Sequence, residues 1–416
     1  MALPLFLPCA AGVEGLLAEE IAQVLPMSRV HPIRGGVALE GEPLEVMTLN
    51  LESRLAQRVL IEVAHGSYRT EEDVYALARA VDWAQWITPR QTLRVDTTAH
   101  RSPLKSLAFA TLRVKDAVCD QLRESCGDRP SVDTRDPDLG VVLHLGEQEA
   151  TVYVDSSGDS LFKRGWRADK GDAPLKETLA AAMLAAAGWR GQPQAGGALH
   201  DPCCGSGTIA IEAAQIACGI APGLKRRFAF ERLLPFAGAA QRADLQRLRS
   251  HAQARIHPSS VPIVASDVSF RMVDFARRNA ARAGVAEAID FHGGDALERP
   301  APDLPDGMPG TLMVNPPYGE RIEVAGKAGR GAGAPGGSDN RSAANDFFPR
   351  LAAHWKRAYT GPGAAWTAYV LSPDMKLPSA MRLKESRRVP LWNGPIECRL
   401  FRFDLVAGSA RALKEV

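Results

Sequence analysis

The chain has 416 residues, 45% of them hydrophobic and 24% charged, and its 50 Lys and Arg against 48 Asp and Glu leave a formal net charge of +2. That length predicts about two or three domains, and the composition is ordinary for globular chains. The near balance of charge excludes a broadly basic protein, so nucleic-acid binding would have to come from local patches.

Seven cysteines, an odd number without a Cys-x-x-Cys pair, argue against zinc and against a disulfide framework. They predict a reducing compartment and a cytoplasmic chain. No apolar run approaches transmembrane length, so no membrane is expected. The start, through Leu3, Pro4, Leu5 and Pro8, is apolar but lacks a charged leader region, which favours a buried first strand over a signal peptide.

In chain order, residues 3–8 read as a strand and 13–25 as a helix with Leu16, Leu17, Ile21 and Leu25 at helical spacing. A hairpin-like return at 35–40 and a helix at 43–51 complete a small α+β unit over residues 1–58. His31 and His65 are lone histidines with structural or surface roles. Residues 59–160 repeat the pattern: a strand at 61–63, a helix at 70–80, a strand at 93–97, a long helix at 107–124, and a hairpin of 141–145 with 150–155. Thr70 with acids behind it is a helix start. Arg101, Lys105, Arg113, Lys115, Arg123 and Arg129 either meet phosphates or form a solvated face.

The third region, 161–416, opens with a run ending at Arg167 and a helix entered through Pro174-Leu175-Lys176-Glu177. Packing is that helix's expected role. Then comes Leu199-His200-Asp201-Pro202-Cys203-Cys204-Gly205-Ser206-Gly207-Thr208-Ile209. A strand, a glycine turn and a helix start in that order form the cofactor cradle of open α/β sheets. Gly205 and Gly207 permit close approach and positive φ, and the helix start offers unpaired N–H groups. A third spaced glycine and a phosphate-loop lysine are missing, so nothing here is built for a pyrophosphate. A merely tight turn is the other reading. Cys203 and Cys204 are expected to fill the turn rather than act as nucleophiles.

Residues 219–257 form a Lys/Arg-studded insertion, helical in its later part. Its interleaved aromatics suit RNA contact, and a lid over the sheet suits them equally. A strand at 261–265 leads to Asp267, and a helix at 270–283 stops at Gly284. An acid in that position either accepts ribose hydroxyls or caps the helix. Strand 288–291 is followed by Gly294-Asp295-Ala296. The apolar run Thr311-Leu312-Met313-Val314 is stopped by Asn315-Pro316-Pro317-Tyr318-Gly319. Asn315 is held extended by the proline after it, and Tyr318 supplies a planar surface. The glycine-rich stretch 329–337 has too little apolar surface to order itself. A helix at 345–359, a strand at 365–371 and a hairpin of 381–390 with 396–405 across Asn393-Gly394 close the chain.

Asp201–Thr208 and Asn315–Tyr318 together resemble motifs I and IV of class I S-adenosylmethionine-dependent methyltransferases that act on an exocyclic base amine. Extended through Glu320 and Arg321, the second motif is similar to that of the bacterial large-subunit ribosomal RNA guanine-N2 methyltransferases with an N-terminal THUMP domain. Residues 112–118 resemble the THUMP helix, and 393–400 resemble the end of that family's domain. The resemblance implies an α/β chain: a ferredoxin-like α+β domain at 1–58, a THUMP domain at 59–160, and at 161–416 a Rossmann-like methyltransferase sheet with an antiparallel last strand. It implies S-adenosylmethionine held by Asp201, Pro202, Cys203, Gly205, Gly207, Thr208, Asp267 and Asp295, with no metal. Asn315, Pro316, Pro317 and Tyr318 are implied to be catalytic, and Arg113, Lys115 and Lys105 to touch RNA, with 23S ribosomal RNA or a precursor particle as partner. Some family members continue into a second catalytic domain; none is expected here. Three alternatives stay open: the same chemistry on adenine, a catalytically idle RNA-binding scaffold, and a dinucleotide oxidoreductase, which the missing glycine disfavours.

Overall fold

A computed structural model describes residues 2–171, 174–305, 307–316, 339–361 and 365–406, excepting the side chains of 339–345. Pro317, Tyr318, Glu320, Arg321 and the glycine-rich stretch 329–337 lie outside the described residues. The chain forms two compact units, one of Met1–Cys9, Leu17–Phe162 and Pro222–Ala254, the other of Ala10–Leu16, Lys163–Ala221 and Arg255–Val416.

The first unit carries β1 (Leu3–Pro8), α1 (Glu14–Val24), β2 (Val30–Ile33), β3 (Gly36–Gly41), α2 (Pro43–Glu52), β4 (Leu60–Ser67), α3 (Glu71–Arg79), β5 (Thr92–Ala99), α4 (Leu107–Cys126), β6 (Ser131–Val132), β7 (Leu139–Leu145) and β8 (Glu149–Asp155). Thr70 opens α3 as its residue type predicts: its hydroxyl accepts the Asp73 N–H at 3.3 Å, while the Asp73 carboxylate accepts the Thr70 N–H at 2.9 Å. The strands run in the order β2-β3-β1-β4-β8-β7-β5-β6. The two α+β modules read from the sequence therefore share one eight-stranded sheet. On those boundaries the seam is the antiparallel pair β1–β4, Leu5↔Ile61 and Phe6↔Leu60, and β4 pairs in turn with β8 from Leu60↔Asp155 to Ser67↔Glu149, with a bulge between Glu62 and Ala64. Pairing the two modules edge to edge removes a row of open backbone groups from each.

The second unit begins with α5 (Glu177–Ala186), β9 (Ala198–Asp201) and α6 (Thr208–Ala217). After an excursion that ends in α7 (Ala239–Ala254), it resumes with β10 (Ile263–Asp267), α8 (Phe270–Ala283), β11 (Asp290–Gly293), β12 (Gly310–Val314), α9 (Asp339–Ala358), β13 (Trp366–Ser372), α10 (Leu377–Met381), β14 (Arg387–Asn393) and β15 (Ile396–Asp404). The strand order is β11-β10-β9-β12-β13-β15-β14. The first five are mutually parallel, β15 is antiparallel to β13, and β14 pairs antiparallel with β15. Every residue of β9 and β12 is buried, as expected of parallel strands covered on both faces. One core cluster gathers Leu312, Val314, Trp355, Tyr359, Trp366, Phe401 and Phe403. The expected strand at 381–390 is shorter. Pro378 sits in the first turn of α10, Arg382 ends it at φ 49°, and the strand starts only at Arg387.

The insertion is a larger departure. Pro222–Ala254 folds with the first unit. Its Gly223, Phe230 and Leu234 N–H groups donate to the carbonyls of Leu51, Ser156 and Trp86, each at 2.9 Å. Phe228, Phe230 and Phe236 are buried, so these rings are core. Its arginines serve inward as well: Arg226 donates to the carbonyls of Ser160 (2.8 Å) and Asp159 (2.6 Å), and Arg232 pairs with Asp136 at 2.6 Å. Within the expected domain of 161–416, this segment is thus grouped with the first compact unit.

Candidate cofactor and active site

The carboxyl ends of β9, β10, β11 and β12 form one edge. Leu199 to Asp201 pair with Ile263 to Ala265, Asp267 pairs with Gly293, and Leu312 pairs with His200. Asp201, Asp267, Gly294-Asp295 and Asn315 thus emerge at the same side of the sheet. The strand order changes direction at β9, where open α/β sheets hold their ligands.

The turn after β9 needs its glycines for two reasons. Gly205 and Gly207 take φ of 51° and 89°, which side chains resist. A Cβ on Gly207 would stand 2.9 Å from the Ala276 Cβ of α8, whereas a Cβ on Gly205 would meet nothing within 4 Å. Gly207 therefore packs helix on helix, and Gly205 leaves open space. The Gly205 N–H donates to Asp267 Oδ2 at 2.9 Å, and the Ser269 N–H to Oδ1 at 2.9 Å. Asp267 consequently holds its own loop and the glycine turn at once. Its two oxygens, with about four lone-pair sites between them, keep acceptor capacity for further hydroxyls. Burial pushes its carboxyl above the ordinary range.

Asp201 is buried; its Oδ1 accepts the Cys203 N–H at 3.3 Å, and its Oδ2 has no partner among the described residues. Burial, reinforced by the neighbouring Asp267, drives its carboxyl well up. Pro202 is buried between them. The thiols of Cys203 and Cys204 are likewise pushed well up by burial, so neither is a thiolate nucleophile. Thr208 is the first residue of α6, and Asp295 is half-buried with Oδ1 accepting the Leu297 N–H at 3.0 Å. Asn315 follows β12 directly, and its Oδ1 is buried without a hydrogen-bond partner among the described residues. Pro316 beside it is buried.

Sequence reasoning missed the frame around this edge. Arg164 and Glu212 form a fully buried ion pair, Nε to Oε1 at 3.1 Å. Asn279, buried on α8, donates to the carbonyls of Asp169 (2.8 Å) and Ser206 (3.0 Å) and accepts the N–H groups of Ala168 and Asp169. Arg167 donates to Glu177 (2.8 Å), Ser206 (3.0 Å) and Thr208 (2.8 Å). A lone acid in the apolar run of α6 was the readable sign of a buried partner for Glu212. Under the sheet, His200 bonds Tyr359 Oη at 2.9 Å, and burial pushes its ring down to about 3, so it is neutral.

The residues expected to touch RNA lie on α4 or just before it. Arg113 pairs with Glu72 and lies 4.2 Å from the Tyr75 ring centroid, Lys115 pairs with Asp116, and Lys105 is exposed. Two of the three charges are thereby matched internally. Among the described residues, no helix is long and apolar enough to cross a membrane.

Comparison with known proteins fits this architecture. Family models match as an RlmL ferredoxin-like domain at residues 4–60, a THUMP domain at 68–155 and an RMKL-like methyltransferase domain at 164–330. The ribosomal RNA large subunit methyltransferase K/L of Pseudomonas entomophila (strain L48) is 37% identical over 404 residues, covering 96% of this chain and 52% of that protein. The chain thus spans about half the length of the curated relatives it matches. Among solved structures, SMU.472, a proposed methyltransferase complexed with SAH, superposes with a TM-score of 0.81 at 26% identity, over 98% of this chain and 99% of that one. A predicted N6-adenine-specific DNA methylase from Listeria monocytogenes str. 4b F2365 gives 0.80 at 25% identity, over 97% of each chain. The chain thus carries an RlmL ferredoxin-like domain, a THUMP domain and an RMKL-like methyltransferase domain, the last built on a Rossmann-like sheet that ends in antiparallel strands.

Proposed function

We propose that the chain transfers a methyl group from S-adenosylmethionine to the exocyclic N2 amine of a guanine in large-subunit (23S) ribosomal RNA or a precursor particle, in the cytoplasm. The observation that carries the reading is Asn315, whose Oδ1 is buried and unpartnered among the described residues at the end of β12, the strand beside β9 and its glycine turn. A buried acceptor left without a donor is costly, and an amine N–H would satisfy it.

The cradle fits the cofactor. Gly205 leaves open space, Asp267 retains acceptor capacity for ribose hydroxyls, and Asp201 Oδ2 awaits a partner. Asp295 stands at the end of β11, where the family resemblance places the adenine. When bound, the cofactor supplies an electrophilic methyl on a sulfonium.

The guanine amine is a poor nucleophile because its lone pair is delocalised into the ring. Asn315 Oδ1 and the Pro316 carbonyl accept its two N–H bonds and turn the lone pair toward the methyl. Pro317 stiffens this turn, and Tyr318 stacks on a base rotated out of its helix; both roles come from the motif. Such positioning contributes roughly 7–11 kcal/mol, and no strong general base is needed. The N-terminal unit holds the RNA, with Lys105 as one exposed cation.

The Listeria neighbour's name points to adenine, whose amine offers the same two donors. Glu320 and Arg321 and the THUMP domain favour guanine in RNA. Nucleoside mass spectrometry of methylated RNA decides: N2-methylguanosine is expected, and N6-methyladenosine or efficient labelling of duplex DNA would overturn the assignment.

A further inference from the structure

Arg167 makes four side-chain hydrogen bonds at the edge of the glycine turn. Its side chain is 14% exposed and that of Glu177 4%. The guanidinium donates through Nε to Glu177 Oε1 (2.8 Å), through Nη1 to Ser206 Oγ (3.0 Å), and through Nη2 to Thr208 Oγ1 (2.8 Å) and the Leu175 carbonyl (3.3 Å). It also lies 4.9 Å from the centre of the Trp166 ring.

We propose that Arg167 is a positioning residue of the cofactor site, holding the glycine turn in the shape that receives the cofactor; the proposal rests on the methyltransferase reading above. Ser206 and Thr208 flank Gly207, whose φ of 89° sets the direction in which α6 leaves the turn. One planar group grips both hydroxyls and ties them to the first residue of α5. From the β10 side, Asp267 grips the Gly205 N–H. Residues 205–208 are therefore held between an arginine and an aspartate, while the space over Gly205 stays open.

The electrostatics set this arrangement apart from a plain strut. A cation beside a helix N-terminus faces the positive end of the helix dipole and is unfavourable by itself. Glu177 offsets that charge, and burial raises its own carboxyl while Arg167 draws it back down. An apolar side chain would brace the loop without this cost, but it would leave the Ser206 and Thr208 hydroxyls ungripped. Lysine keeps the charge and loses the fork, because a point ammonium cannot meet acceptors on several sides with fixed geometry.

The test compares wild type, Arg167→Lys, Arg167→Ala and Thr208→Val by calorimetry with SAH, by thermal unfolding, and by steady-state kinetics in cofactor and RNA. Expected for Arg167→Lys and Thr208→Val are unfolding midpoints near wild type with SAH affinity lower by on the order of tenfold. For Arg167→Lys, KM for the cofactor should rise in step, with kcat and RNA affinity unchanged. Arg167→Ala should lose more, and if it fails to fold, the other two variants carry the test. Folded Arg167→Lys and Thr208→Val with wild-type SAH affinity would overturn the proposal, as would a fall in kcat at unchanged affinity. Wild-type protein that does not bind SAH would instead overturn the methyltransferase reading itself.

Discussion

The Asp267 carboxylate accepts the Gly205 N–H across 2.9 Å, so the acid ending β10 and the turn ending β9 are one hydrogen-bonded unit. Removing the acid costs a brace of the turn and, on the proposed function, a ribose acceptor as well. Asp267→Ala should weaken SAH binding by about 1.5–3 kcal/mol for each charged hydrogen bond lost. Calorimetry checks this; wild-type affinity in the folded variant would refute it.

The same carboxyl gives a pH dependence. Burial raises its pKa, and the form that accepts two hydroxyls is the ionised one. Cofactor binding therefore favours the deprotonated state, and affinity should fall as pH drops through the raised pKa, beginning above the ordinary aspartate range. Asp267→Asn should bind more weakly and flatten that slope. An unchanged slope in the variant would assign the titration elsewhere.

On the proposed function, Asn315 serves the chemistry and not cofactor binding. Asn315→Ala should leave SAH affinity near wild type, since no cradle residue is altered, while methyl transfer to RNA collapses. Paired calorimetry and tritium transfer from labelled cofactor measure the two effects. Loss of SAH affinity with retained turnover would reverse the roles assigned here.

Arg164 and Glu212 are each fully buried and paired. Glu212→Gln removes the carboxylate that faces a buried guanidinium and should destabilise the second unit by about 3–5 kcal/mol. Replacing both by leucine should restore much of the loss. Equal unfolding midpoints for wild type and Glu212→Gln would show that the charge is satisfied elsewhere.

A cut at residue 161 should yield a poorly behaved fragment, because Phe228, Phe230, Phe236 and Leu245 are buried within the first unit. Exposed apolar surface of that kind drives aggregation. Bridging out 222–254 with a short linker should give a soluble fragment that binds SAH and has lost most RNA affinity. Salt titration of the full chain should show RNA affinity falling steeply. A well-behaved fragment that keeps 222–254 would refute the packing argument.

What the sequence disclosed was local. Thr70 at the start of α3 and Gly284 after α8 announce helix ends through chemistry within a few residues. Asp201, Asp267 and Asn315 were legible because each stands where an apolar run stops, and parallel strands bring those stops to one edge. What stayed hidden depends on distant partners. Nothing around Leu60 says that its strand will pair with Glu149–Asp155, and nothing around Phe230 distinguishes a buried ring from a base-stacking one. Arg167 looked like one more basic residue, because its acceptors at 177, 206 and 208 meet only after the fold has formed.

The loan of Pro222–Ala254 to the first unit also orders events at the ribosome. Protein emerges at about 5–20 residues per second, and domains ordinarily close from the N-terminus onward. Here the first unit cannot close when Phe162 appears, because buried rings that complete it are still unmade. The strand and glycine turn of the second unit are synthesised in the meantime and must wait unpaired for β10 and β12. The nascent chain therefore carries two incomplete cores at once, and the window in which both are vulnerable closes first at Ala254.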